Sequence, residues 1–168
     1  MVEMHLAAVR VEMATSTPIL LLQEAGEGNR TLPIYIGQAE AQAIAQELQE
    51  IVAPRPMTHD LMRDLLAELG ATVDCVVITE LRDRTFYAEI RLTLGGTKHA
   101  VSARPSDAIA LAVRTHSTIY AEDALLDAEG VVLASDETGD DEEPADADEL
   151  VSQFKEFIEG IRPEDFEG

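Results

Sequence analysis

Two short segments gather side chains that can move protons and hold anions. In Pro54-Arg55-Pro56-Met57-Thr58-His59-Asp60 the prolines stiffen the approach to a helix start, and a histidine and an aspartate follow side by side. Imidazole titrates near neutral pH and can take or give a proton, while the carboxylate can orient a base or hold a metal. In Ala103-Arg104-Pro105-Ser106-Asp107 the arginine can grip a phosphate through its fork, aided by the first amides of the helix that follows. Each segment also has a plain structural reading. Thr58 then caps its helix, Asp60 complements the helix dipole and His59 sits on the surface. In the second segment Ser106 or Asp107 is the cap and Arg104 joins an ion pair. A weaker candidate is Tyr87 with Glu89, which alternate on a strand and read equally as its solvent face.

Other chemistries find no support. His5, His99 and His116 have no second ligand at metal spacing, and HExxH, CxxC and a glycine-rich phosphate loop are all missing, which argues against a zinc enzyme and a P-loop nucleotide hydrolase. Ser102 and Ser106 lack the GxSxG setting of a nucleophilic serine. Cys75, alone in the run Cys75-Val76-Val77-Ile78, reads as a small buried hydrophobe. Seven aromatics and no tryptophan leave few platforms on which bases could stack. Arg55, Arg63, Arg82, Arg84, Arg91, Lys98 and Arg104 could nonetheless form a local basic patch.

The elements that must position these residues follow a definite order. With 168 residues, 46% of them hydrophobic, the chain suits one compact domain with a tail. Alternation predicts strands over 3–13, 18–24 and 31–36. Gly37 opens a helix over 38–51, whose stripe Ala41, Ile44, Ala45 and Leu48 is apolar and which Pro54 ends. A second helix starts at Thr58, carries Leu61, Leu65, Leu66 and Leu69, and stops at Gly70. Strands over 72–81, 85–94 and 97–102 precede a third helix from about Ser106 to Thr115. Sliding the chain by 67 residues lays Ile34–Ala45 over Val101–Ala112, with Glu40 on Asp107 and Ala41 on Ala108. Three strands precede each of these helices, so a pseudo-repeated βββα unit is expected with the helix at 58–69 inserted between the copies. The expectation is an α+β fold: a mixed, twisted β-sheet with flanking helices.

Charge divides the chain unevenly. Residues 1–134 hold 10 Lys and Arg against 19 Asp and Glu, and residues 135–168 hold 2 against 14, so the net charge of -21 splits into -9 and -12. Residues 135–149 have no aromatic or branched apolar side chain and read as a disordered acidic linker. Over 150–168, Leu150, Val151, Phe154, Phe157, Ile158 and Ile161 recur at helical spacing, predicting a short amphipathic helix that needs its own domain or a protein partner to cover it. The longest apolar run, Ala108 to Val113, is far shorter than the ~18 residues of a membrane span. The alternating, acidic start MVEMHLAAVRVEM differs from a secretory signal, and a cytoplasmic protein is expected.

Four ordered motifs, Leu32-Pro-Ile-Tyr-Ile-Gly with Glu40-Ala41, Pro54-Arg-Pro-Met-Thr-His-Asp-Leu, Thr85-Phe-Tyr-Ala and Ala103-Arg-Pro-Ser-Asp-Ala-Ile-Ala-Leu-Ala, resemble the bifunctional nuclease domain family over roughly residues 1–130. The resemblance implies an α+β domain over 1–134 and an RNA or DNA substrate. On that footing Asp60 and Asp107, with Glu40, would hold magnesium or manganese, His59 would activate water, and Arg55, Arg104 and Ser106 would meet the phosphate. The acidic charge opposes a polyanion unless screened. The rival is a non-catalytic binding or assembly module, a homodimer or higher oligomer whose tail and C-terminal helix mediate contacts. A pocket joining His59, Asp60 and Asp107 favours the enzyme, and closed ion pairs favour the module.

Overall fold

The computed structural model describes residues 1–12, 15–26 and 28–132, so the linker and helix expected over 135–168 lie outside the described residues. Along the chain run β1 (Val2–Glu12), β2 (Thr17–Glu24), β3 (Arg30–Tyr35), α1 (Gln38–Leu48), α2 (Thr58–Glu68), β4 (Ala71–Arg82), β5 (Thr85–Leu94), β6 (Thr97–Ala103), α3 (Pro105–Thr115), β7 (Thr118–Ala121), α4 (Asp123–Glu129) and β8 (Val131–Val132). The fold is α+β, and the order βββα recurs with α2 between the copies.

All eight strands join one sheet in the order β6-β5-β4-β7-β1-β2-β3-β8. β1 to β3 form one antiparallel meander and β4 to β6 another. Short hairpin connections explain both meanders, since such loops bring the chain straight back beside itself. β7 joins the two, antiparallel to β1 and parallel to β4. The central strands of the two copies therefore run in opposite directions on either side of it.

Period-two alternation puts Leu20, Leu22, Leu32, Ile34, Val76, Ile78, Ile90 and Leu92 into the core beneath the helices. Burying one such leucine contributes about 1.5–3 kcal/mol. α3 lies centrally, packed on α1, α2, β4 and β5. Its alternating small and branched residues, Ala108 to Ala112, are all buried, because alanine lets neighbouring backbones approach on every side. Gly70 has the left-handed backbone (φ 72°) expected at its helix end, a conformation glycine adopts without a Cβ penalty.

Local details correct several expectations. α1 stops at Leu48 rather than residue 51, where Glu50 turns into the left-handed region (φ 55°). The cap of α2 is Met57, not Thr58, and that of α3 is Arg104, with Pro105 as the first helical residue. Proline suits that place because its missing N–H has no intrahelical acceptor there. Cys75 is half-buried rather than enclosed, and desolvation pushes its thiol up. Beyond Thr115 the structure adds β7, α4 and β8, which the sequence pattern did not announce.

Candidate functional site

The first turns of α1, α2 and α3 meet, and each carries a carboxylate as its third residue: Glu40, Asp60 and Asp107. Acidic side chains favour that position because they face the positive end of the helix dipole and its unpaired amides. Asp60 Oδ2 accepts the Met57 N–H at 2.9 Å. Glu40 folds back over Gly37, where a Cβ would collide with its carboxylate, so the glycine leaves that space open.

Arg104 ties two of these starts together. Its Nε donates to Asp107 Oδ2 at 2.8 Å and its Nη2 to Oδ1 at 3.1 Å, while Nη1 lies 2.8 Å from Glu40 Oε1. The third start joins through His59, whose Nε2 is 3.3 Å from Asp107 Oδ1. His59 is buried, not on the surface, whereas the Arg104 side chain is 65% exposed. Burial alone would raise the Asp107 carboxyl, but the hydrogen bonds from Arg104 and His59 outweigh it and hold it below the ordinary carboxylate range. Its carboxylate partners push Arg104 up in turn. An ionised Asp107 can only accept, so in neutral His59 the Nε2 atom carries the hydrogen and Nδ1 the basic lone pair. A partly exposed guanidinium beside an oriented imidazole, at three helix starts, can bind an anion and relay a proton.

Asp60, adjacent to His59 in the chain, belongs to a different node. Its Oδ1 lies 2.6 Å from Nε of Arg114, whose side chain is only 2% exposed. The hydrogen bond from Arg114 depresses the Asp60 carboxyl, and the Met57 N–H adds to this against the opposing effect of burial. Arg114 also donates to Ala110 O and Ala43 O, both at 2.9 Å, with Glu47 Oε2 at 3.7 Å. Neither Arg114 nor Glu47 stood out in the sequence. One signal was there: Arg114 lies four residues after Ala110 on the buried stripe of an apolar helix, where a lone cation requires partners.

The remaining candidates scatter. Ser106 is buried in the first turn of α3, and Arg55 is exposed in the loop before α2, unpaired with any carboxylate among the described residues. Glu89 pairs with Arg91 at 3.3 Å, and Arg82 lies 4.4 Å over the Tyr87 ring, as a strand's solvent face allows. Asp60, Asp107 and Glu40 do not fit a divalent ion as they stand. Arg114 engages the first and Arg104 the other two, and among the described residues no group of three or more His, Cys, Asp or Glu side chains could hold a metal. Clefts of about 670 Å³ and 230 Å³ open elsewhere, without His59, Arg104 or Asp107 in their walls. Among the described residues no helix is long and apolar enough to cross a membrane.

A family model described as the bifunctional nuclease domain matches residues 20–134. An uncharacterised protein of Mycobacterium tuberculosis is 44% identical over 164 residues, 98% of this chain and 97% of the relative. Bifunctional nuclease 2 of Arabidopsis thaliana is 27% identical over 121 residues, 70% of this chain but 36% of the plant protein. Bifunctional nuclease 1 of Oryza sativa is 29% identical over 99 residues, 57% of this chain and 30% of the relative.

Proposed function

The chain belongs to the bifunctional nuclease domain family, and from that premise we propose that it hydrolyses phosphodiester bonds of RNA and DNA at the junction of α1, α2 and α3. The observation that carries this reading is the network Glu40–Arg104–Asp107–His59, which unites three motifs far apart in the chain. Arg104 is exposed and shared between two carboxylates, so Nη1 can turn from Glu40 to a phosphate oxygen while Nε and Nη2 keep Asp107. There it offsets the charge that develops in the transition state. Asp107 orients His59, whose Nδ1 takes a proton from the attacking water as its oxygen bonds to phosphorus; the bridging P–O bond breaks and the leaving oxygen takes a proton from solvent. Arg55 and the first amides of α3 beside Ser106 extend the grip along the nucleic acid.

Cleavage of single- and double-stranded RNA and DNA by highly purified protein tests this, with a His59→Ala/Asp107→Ala double variant alongside. Activity that follows the wild-type protein and falls at least ~100-fold in the folded variant supports the site. Equal traces in both, or none, remove it. The same reactions run with magnesium, manganese or chelator address the ion. Persistence in chelator is expected, whereas metal-dependent cleavage lost in Glu40→Gln would return Glu40 and Asp107 to a ligand role.

A second reading, an assembly module, draws on two observations: Asp60 and Asp107 are closed in ion pairs with Arg114 and Arg104 outside both clefts, and Met57, Leu61, Leu65 and Leu69 line one face of α2 and its flanks, each at least half exposed. Apolar residues four apart make a stripe suited to a second helix, as in a homodimer. A dimer by light scattering that dissociates in Leu61→Glu/Leu65→Glu, in protein without cleavage, would favour the module.

A further inference from the structure

Arg114 is almost wholly enclosed, and nothing assigned so far to the junction of the three helices requires it. Its guanidinium nevertheless ties the start of α2 to α1 and α3. Nη1 is anchored one turn back on α3 at Ala110 O, Nη2 crosses to α1 at Ala43 O, and Nε holds Asp60 Oδ1. The other oxygen of Asp60 takes the Met57 N–H, so the cap of α2 hangs on the same carboxylate. His59 lies between these two attachment points in the chain and must place Nε2 against Asp107 on α3. A buried ion pair is a poor source of stability, because desolvation cancels most of its attraction, and an apolar pair of similar volume would fill the space as well. The ion pair, however, is directional, and here its bonds run to one rotation and one height of the first turn of α2 against α3.

We infer that Arg114 is a positioning residue, acting through Asp60 to hold His59 in register with Asp107. The inference rests on the catalytic reading of His59 for its purpose but not for its geometry. Lysine at 114 keeps a charge but replaces the planar fork with a single ammonium, which cannot reach Asp60, Ala110 O and Ala43 O in the same directions. Asn at 60 keeps the cap acceptor and loses the charge-assisted bond to Arg114. Either change frees the first turn of α2, and the bond from His59 to Asp107 loosens although neither of its partners has been altered.

The test observes the imidazole N–H itself in the full-length protein labelled with ¹⁵N-histidine, with His59→Gln identifying the signal. The wild type is expected to show a His59 Nε2–H protected from exchange with water. Asp107→Asn, Arg114→Lys and Asp60→Asn should each speed that exchange by about tenfold or more, with sheet amide signals unchanged. If Arg114→Lys fails to fold, Asp60→Asn decides. Wild-type exchange in Arg114→Lys and Asp60→Asn, with loss only in Asp107→Asn, would overturn the inference, as would a wild type without a protected Nε2–H. The readout needs no substrate, so a protein that cleaves nothing can still pass, and an active nuclease can still fail.

Discussion

Arg104 and Arg114 bracket α3 and make the same kind of contact in opposite surroundings. Each binds the aspartate in the third position of a helix, Asp107 or Asp60, and each has a glutamate of α1 nearby, Glu40 or Glu47. Arg104 is 65% exposed and touches carboxylates, whereas Arg114 is 2% exposed and also binds two backbone carbonyls. Water can replace any partner Arg104 loses. For Arg114 no such replacement exists, and a lost partner leaves a charge buried. The difference teaches that an ion pair's role follows from its burial: the exposed one is free to exchange a carboxylate for an incoming phosphate, and the buried one can only hold its helices in place.

The comparison breaks first at the buried node. Arg114→Ala should lower unfolding free energy in urea by about 3–5 kcal/mol, since it leaves the part-buried Asp60 carboxylate without its cation. Asp60→Asn should cost about 2 kcal/mol, because the single amide oxygen keeps the Met57 N–H and the contact to Arg114 is lost. It should also change the acid limb. Asp60 and Asp107 are both held below the ordinary aspartate value of 3.8, so the stability they confer is present above that value and is lost as pH falls through their lowered ones. Asp60→Asn should therefore unfold less steeply than the wild type as the pH is lowered below about 4, as circular dichroism would show.

At the exposed node the ordering reverses between stability and activity. Arg104→Ala should alter stability by less than about 1 kcal/mol, as exposed pairs usually do, while reducing cleavage by ~100-fold. A stability loss as large as that of Arg114→Ala would erase the distinction between the two arginines. Smallest of all, Leu65→Ser on the outer face of α2 should leave monomer stability within about 0.5 kcal/mol, because the leucine is already half exposed. A larger loss in urea would mean that this face is covered in solution.

The first six strands and the three main helices were legible because alternation and helical spacing persist over six to twelve residues in each. β7 was not, since its four residues Thr118–Ala121 derive their order from being paired on both sides, by β1 and β4. The motifs at 54–60 and 103–107 likewise named most of the site, but their pairing misled. His59 and Asp60 are neighbours in the chain and looked like one unit; in the fold their side chains serve different arginines.

Composition, periodicity and motif spacing by themselves pointed to the βββα repeat, to the neighbourhood of each helix start, and to the candidates His59, Arg104 and Asp107. Only tertiary structure decided that the three starts meet, that Asp107 rather than Asp60 receives His59, and that Arg114 lies at the centre of the helical layer. The physical reason is one of range. Backbone propensity and capping act within one or two turns and can be read locally, whereas burial and ion pairing depend on which distant helix arrives to exclude water and bring the opposite charge.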